Sequence, residues 1–216
     1  LKNSIPHLIS MICSAHNVNN GIKQSMELPA IADSLTLAKK IVSFFINPKR
    51  LAILKMTSSE EMMSLTMFCQ TRWSEQHQSV CSVISNLENI VQALVACKNN
   101  PSLVLRETAG TLLSSILEPG AIFPLLVARN ILAITKFLVK GLQKNKLDIM
   151  DCFNQTKQII TLLDRNMNSQ EEFNRLYVEN QKISARIKAF QNRSMISTDY
   201  MQSMRKNVYQ KAYNLV

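Results

Sequence analysis

Residues 80–95 read VCSVISNLENIVQALV, in which Val80, Val83, Ile84, Leu87, Ile90, Val91, Leu94 and Val95 recur at intervals of three and four. Only a period near 3.6 residues gathers such positions on one face, so this stretch is expected to be a long amphipathic helix. Ser74 is placed to cap its start, and Asn99, Asn100 and Pro101 close it. Working outward, the same spacing returns on both sides. Upstream, Ile31, Leu35, Ala38, Val42 and Phe45 form a stripe within 30–45, Asp33, Lys39 and Lys40 face away from it, and Pro48 ends that helix or starts the next. Ser58, Ser59, Glu60 and Glu61 supply an acidic first turn for a short helix reaching about Met67, with a loop at 69–72. Downstream, 103–117, 123–143, 147–167 and 169–190 read as helices. Pro101 fits a first turn, Pro119 sits in a turn at 118–120, and Gly141, Asn145 and Asn168 lie near the boundaries.

The opening breaks the pattern. Residues 4–13, SIPHLISMIC, are rich in β-branched side chains with partial alternation and suit a strand, which Asn17 to Gly21 would end. His7 within it reads as a packed or partly exposed side chain. With 4 Gly and 6 Pro in 216 residues, the turns of a β-sandwich are too few to place. The fold class is therefore mainly α, an irregular antiparallel helical array with one short N-terminal β-strand. Beyond Phe190 apolar density falls while Arg193, Arg205, Lys206 and Lys211 gather against Asp199, so residues 191–216 read as a basic tail, with Tyr200, Tyr209 and Tyr213 interleaved.

Composition narrows the function classes. The formal net charge is +10, which permits a nucleic-acid partner through phosphate neutralisation. Five widely spaced cysteines and no recognisable signal peptide argue against a disulfide framework and for an intracellular, reducing setting. Residues 122–142 are long enough to span a bilayer, yet Arg129, Lys136 and Lys140 make them a buried or amphipathic helix, and no membrane partner is expected. No phosphate loop, nucleophile elbow, zinc-protease helix or kinase signature occurs, and the carboxylates form no catalytic cluster. The pairs Glu60–Glu61 and Glu171–Glu172 suit helix dipoles instead.

Two motifs carry possible chemistry. Cys13 and His16 form a Cys-x-x-His, and His77 and Cys81 share a helical face four residues apart, so these four side chains are a conceivable zinc set. The plainer reading is packed thiols and imidazoles. Thr71-Arg72-Trp73 carries the only tryptophan, beside an arginine at a loop-to-helix junction. Such a Trp can stack on an unpaired base while the Arg meets a phosphate; alternatively it anchors the helix against its neighbours.

In order along the chain, these blocks resemble hAT-superfamily transposases and their domesticated relatives, including zinc-finger MYM-type proteins. HLISMICSAHNVN (7–19) resembles the family's strand ending in Cys-x-x-His, IVSFFINPKRLAIL (41–54) its helix and KR segment, and CQTRWSEQHQSV (69–80) its TRW block. LAITKFLVKGLQKNKLDIM (132–150), Thr161 to Arg165 and Glu172 to Tyr177 extend the likeness.

The resemblance implies an all-helical insertion interrupting an RNase H-like nuclease fold. It assigns 1–20 to a remnant strand and Cys-x-x-His turn of the nuclease core, 21–190 to the insertion, and 191–216 to a tail returning toward the core. It makes His16 proximal to the active site, Cys13 its structural companion, and Arg72 and Trp73 contacts to a DNA end. It also places the first two catalytic acids before Leu1 and the last after Val216. The chain is then a nuclear, DNA-associated helical domain, inactive alone and without a cofactor of its own, whose intact parent uses divalent metal. Self-association into a homo-oligomer is a further expectation. The alternative is a helical protein–protein interaction module without DNA binding, its Met-rich faces at Met62, Met63 and Met67 serving a partner.

Overall fold

The computed structural model describes residues 14–58, 64–69, 76–142, 149–189 and 198–215. Among them every regular element is helical: α1 (Ser14–Met26), α2 (Pro29–Phe45), α3 (Pro48–Thr57), α4 (Gln76–Ser85), α5 (Leu87–Lys98), α6 (Leu103–Leu117), α7 (Phe123–Leu142), α8 (Ile149–Asn168), α9 (Gln170–Ala189), α10 (Thr198–Met204), a π-helical turn (Arg205–Gln210) and α11 (Lys211–Asn214). The expected strand at 4–13 lies outside the described residues.

Helix α7 is the hub. Its apolar residues wrap most of its circumference, from Phe123 and Leu126 to Ile131, Leu132 and Val139, and α1, α2, α4, α8, α9, α11 and the π-helical turn all pack against it. Each fully buried Leu or Ile contributes about 1.5–3 kcal/mol, which explains why so apolar a helix sits at the centre. Its Arg129 is neutralised there by a bidentate pair with Glu179 of α9, at 2.8 and 2.7 Å. No single described helix is long and apolar enough to cross a membrane. A second hub, α5, carries α3, α6 and α9, and α9 joins the two hubs by packing on both.

Three expectations from the sequence are corrected. The break expected at Asn17 to Gly21 is absent, because α1 runs through it. Ile22 and Met26, both fully buried, anchor that helix, and tertiary packing overrides the weak propensity of Asn and Gly. The long helix expected through 80–95 is two helices bent by 67° at Asn86. Asn86 is buried, its Nδ2 donates to Ser82 O at 2.7 Å, and its N–H reaches back only three residues to Val83 O. The side chain thus satisfies a carbonyl that the next helical turn would otherwise have used. The bend sends α4 onto α7 and α5 onto α3 and α6. Residues 64–69, whose first part was expected to continue a helix to Met67, form no helix.

The basic tail is not loosely attached. Val208, Tyr209, Ala212 and Tyr213 are buried, and the Tyr209 ring meets Phe173 edge-on at 5.5 Å and Tyr213 at 4.9 Å. Tyr209 O–H donates to Asn166 O at 2.6 Å, and Asn130 Nδ2 donates to the Tyr213 hydroxyl at 2.6 Å. Tyr209 and Tyr213 lock into the core while Lys206 and Lys211 are exposed, and Arg205 lies half-buried with its guanidinium 5.7 Å over the Phe173 ring.

Candidate nucleic-acid interface

The two sequence blocks with chemical promise adjoin the starts of α1 and α4, and both helices rest on α7. On the α4 side the described geometry is well defined. Gln76, Ser79 and Ser82 form a buried polar stripe on α4, at steps of three, beside the buried Val80, Val83 and Ile84. The stripe holds residues 66–69. Gln76 Nε2 donates to Cys69 O at 2.7 Å, Ser79 Oγ donates to Met67 O at 2.7 Å, and Thr66 N–H donates to Ser82 Oγ at 3.1 Å. As residue number rises along α4 it falls along the segment, so the segment runs antiparallel to the helix. Three of its backbone groups find partners on side chains of α4, which supply the bonds that a helix would have made internally.

One turn into α4, His77 and Cys81 meet on the same face, with Cys81 Sγ 3.6 Å from His77 Nε2. Burial lowers the imidazole pKa, and Lys136 and Arg129 of α7 lower it further by charge repulsion. Burial raises the Cys81 thiol, against the pull of the same two cations. At neutral pH the pair is therefore a neutral imidazole beside a protonated thiol. That is unsuited to nucleophilic attack, which needs a thiolate. Both groups retain lone pairs that could ligate a metal, but a structural zinc needs four donors. Among the described residues no three His, Cys, Asp or Glu side chains converge.

Of the residues singled out from the sequence, Cys13, Arg72 and Trp73 lie outside the described residues. His16 falls within α1, where only its backbone is described. The zinc set is thus described only in its His77–Cys81 half.

The chain shows a distant likeness. It is 20% identical to the mouse (Mus musculus) protein named 52 kDa repressor of the inhibitor of the protein kinase, over 192 residues that cover 83% of this chain and 25% of that protein. The human (Homo sapiens) protein of the same name is 20% identical over 191 residues, with the same coverage. The chain spans a quarter of the length of these curated relatives. No family model matches, and no solved structure does.

Sequence reasoning missed the polar stripe and the two α7 cations beside His77. The stripe had a signal in the spacing of Gln76, Ser79 and Ser82, which interrupts the apolar pattern every third residue. Nothing in the sequence pairs His77 with Lys136, since 59 positions separate them and only the packing of α4 on α7 joins them.

Proposed function

We propose that this chain is a DNA-associated helical domain of a transposase-derived protein of hAT type, nuclear in location and without catalytic activity of its own. The observation that carries the reading is the convergence of α1 and α4 on α7: the helices that begin beside Cys13 and Trp73 share one support. Lys136 adds positive charge beside His77, and a net charge of +10 favours phosphate. In this reading His16, Arg72 and Trp73 face a DNA end and the remaining helices brace them. The divalent metal that the resemblance implies for the intact protein has no ligand set among the described residues.

The test is binding of a labelled DNA duplex with an unpaired end, followed by anisotropy across a salt series. The chain should bind, with affinity falling steeply as salt rises. Trp73→Ala should weaken binding by roughly 5- to 100-fold, the range of one lost base stack, with helix content by circular dichroism unchanged. A folded chain that ignores DNA at low salt removes the proposal. Unfolding of the variant would instead make Trp73 a core anchor.

A second reading, a helical protein–protein interaction module, has its own observation. Helix α8 exposes Met150, Phe153 and Ile160 on one face, and Phe137 of α7 is 76% exposed. The name of the relatives, a repressor of an inhibitor, agrees with such a role. Association insensitive to salt, and reduced by Phe153→Ser, would favour it.

A further inference from the structure

Helices α2 and α6 lie side by side and leave a groove of about 650 Å³ that Arg50, at the start of α3, closes on one side. Its α2–α3 wall carries Lys39, Lys40 and Arg50, with the hydroxyls of Thr36 and Ser43 between them; α6 sets one carboxylate, Glu107, against them. The charge is local to this wall: residues 29–58 hold Lys39, Lys40, Lys49, Arg50 and Lys55 against the single acid Asp33. Arg50 is held in place, its guanidinium 4.5 Å over the Phe44 ring and Nη1 donating to Phe44 O at 3.3 Å. One of its five N–H donors is spent on that carbonyl, and the rigid fork leaves others to serve a ligand at little entropic cost. On the α6 wall, the hydroxyls of Thr108 and Thr111 donate to their own helix, to Val104 O and Glu107 O, and so offer no proton outward. Donors therefore come from the α2–α3 side alone, as fits a single anionic rail.

We infer that this groove binds the phosphate backbone of nucleic acid without reading its sequence. No aromatic face is open in it, since Phe44 is 4% exposed and lies beneath Arg50. Bases have no ring to stack on there, and cations spread along an open wall meet the phosphates of a strand first. The groove is also connected to the candidate interface. The Lys39 ammonium lies 5.9 Å from the centroid of Phe68, in the segment that α4 holds and that leads toward Arg72 and Trp73. The inference rests on the nucleic-acid reading above and gives it a second contact surface.

The experiment uses the full chain and two labelled DNA duplexes of equal length and unrelated sequence. Lys40→Glu, on an exposed position, should weaken both equally by about 5-fold and lower the salt slope by about one. Glu107→Gln should tighten both, a gain that misfolding cannot produce. If the chain binds DNA and Trp73→Ala weakens it while Lys40→Glu and Glu107→Gln change neither affinity nor slope, the groove is not a nucleic-acid surface and the proposed function stands. Loss of binding to an acidic peptide in Lys40→Glu, with DNA binding intact, would likewise overturn the inference in favour of a protein ligand. A chain that binds neither duplex at low salt fails both.

Discussion

His77 shows how a single side chain records its surroundings. In the unfolded chain it titrates near 6.5; in the fold, burial first and the cations Lys136 and Arg129 second hold its pKa below that. The unfolded state thus binds more protons between the two values, and stability must rise with pH through that window and be lost as pH falls through it. Thermal unfolding followed from pH 7.5 down to 5.5 should show a declining midpoint, and His77→Gln should flatten the decline. An unchanged slope would mean that His77 is not the group responsible. Asn180 of α9 offers a second residue-scale test, because it is 1% exposed and neither polar atom of its amide has a hydrogen-bond partner. An unsatisfied buried amide costs about 1–3 kcal/mol, so Asn180→Val, which adds the least volume of the branched aliphatic side chains, should raise the unfolding midpoint. A drop instead would point to an ordered water serving the amide.

At the scale of elements, the sequence spoke clearly wherever an apolar stripe met solvent on its far side. Helices α2, α6, α7, α8 and α9 fall within two residues of their expected bounds, and Pro48, Pro119 and Asn168 stand at or just beyond the ends of α2, α6 and α8. What stayed illegible was decided by contacts distant in sequence or by one buried polar group. The bend at Asn86 hides inside an unbroken apolar seam, and only the bond to Ser82 O reveals it. α1 forms over Asn17, Asn19, Asn20 and Gly21, against their propensity, because Ile22 and Met26 reach the core. The segment 64–69 exists in its shape only because α4 supplies hydrogen bonds. Ser79→Ala removes the hydrogen bond to the Met67 carbonyl and should cost about 0.5–1.5 kcal/mol. Limited proteolysis should then cut first within 64–69, while α6 and α7 stay protected; protection of 64–69 equal to the parent chain would show that the stripe does not hold it.

Across the whole molecule, the chain's two ends decide whether the helices act as one body. The core is a single cluster in which residues of α1, α7, α9 and the last helical segment are contiguous. Its aromatic centre joins Phe123, Phe173 and Tyr177 to Tyr209 and Tyr213, with rings 4.9 to 6.2 Å apart. Composition made the C-terminal stretch look like a solvated basic tail, because the few tyrosines that bury are outnumbered locally by cations and amides that do not. Yet the two tyrosines lie four apart, on one helical face, and that spacing is what a docked segment needs. Their hydroxyls are satisfied by Asn166 O and Asn130 Nδ2, and burial pushes both phenol pKa values far above the ordinary 10, so neither ionises in use. Asn130 also donates to Glu172, whose carboxyl the Arg175 hydrogen bonds hold below its usual value, tying the tail to α7 and α9 through one network. Tyr213→Phe removes one hydroxyl, with its side-chain hydrogen bonds to Asn130 and Asn166, and should cost about 1–3 kcal/mol, whereas Tyr209→Ala empties a fully buried ring site and should cost about 3–5 kcal/mol. If the segment is part of the cooperative unit, Tyr209→Ala lowers the single unfolding transition seen by tryptophan fluorescence and by far-ultraviolet dichroism together. A second, early transition confined to the C-terminal amides by hydrogen exchange would mean instead that α10, the π-helical turn and α11 open on their own, leaving the remaining helices folded.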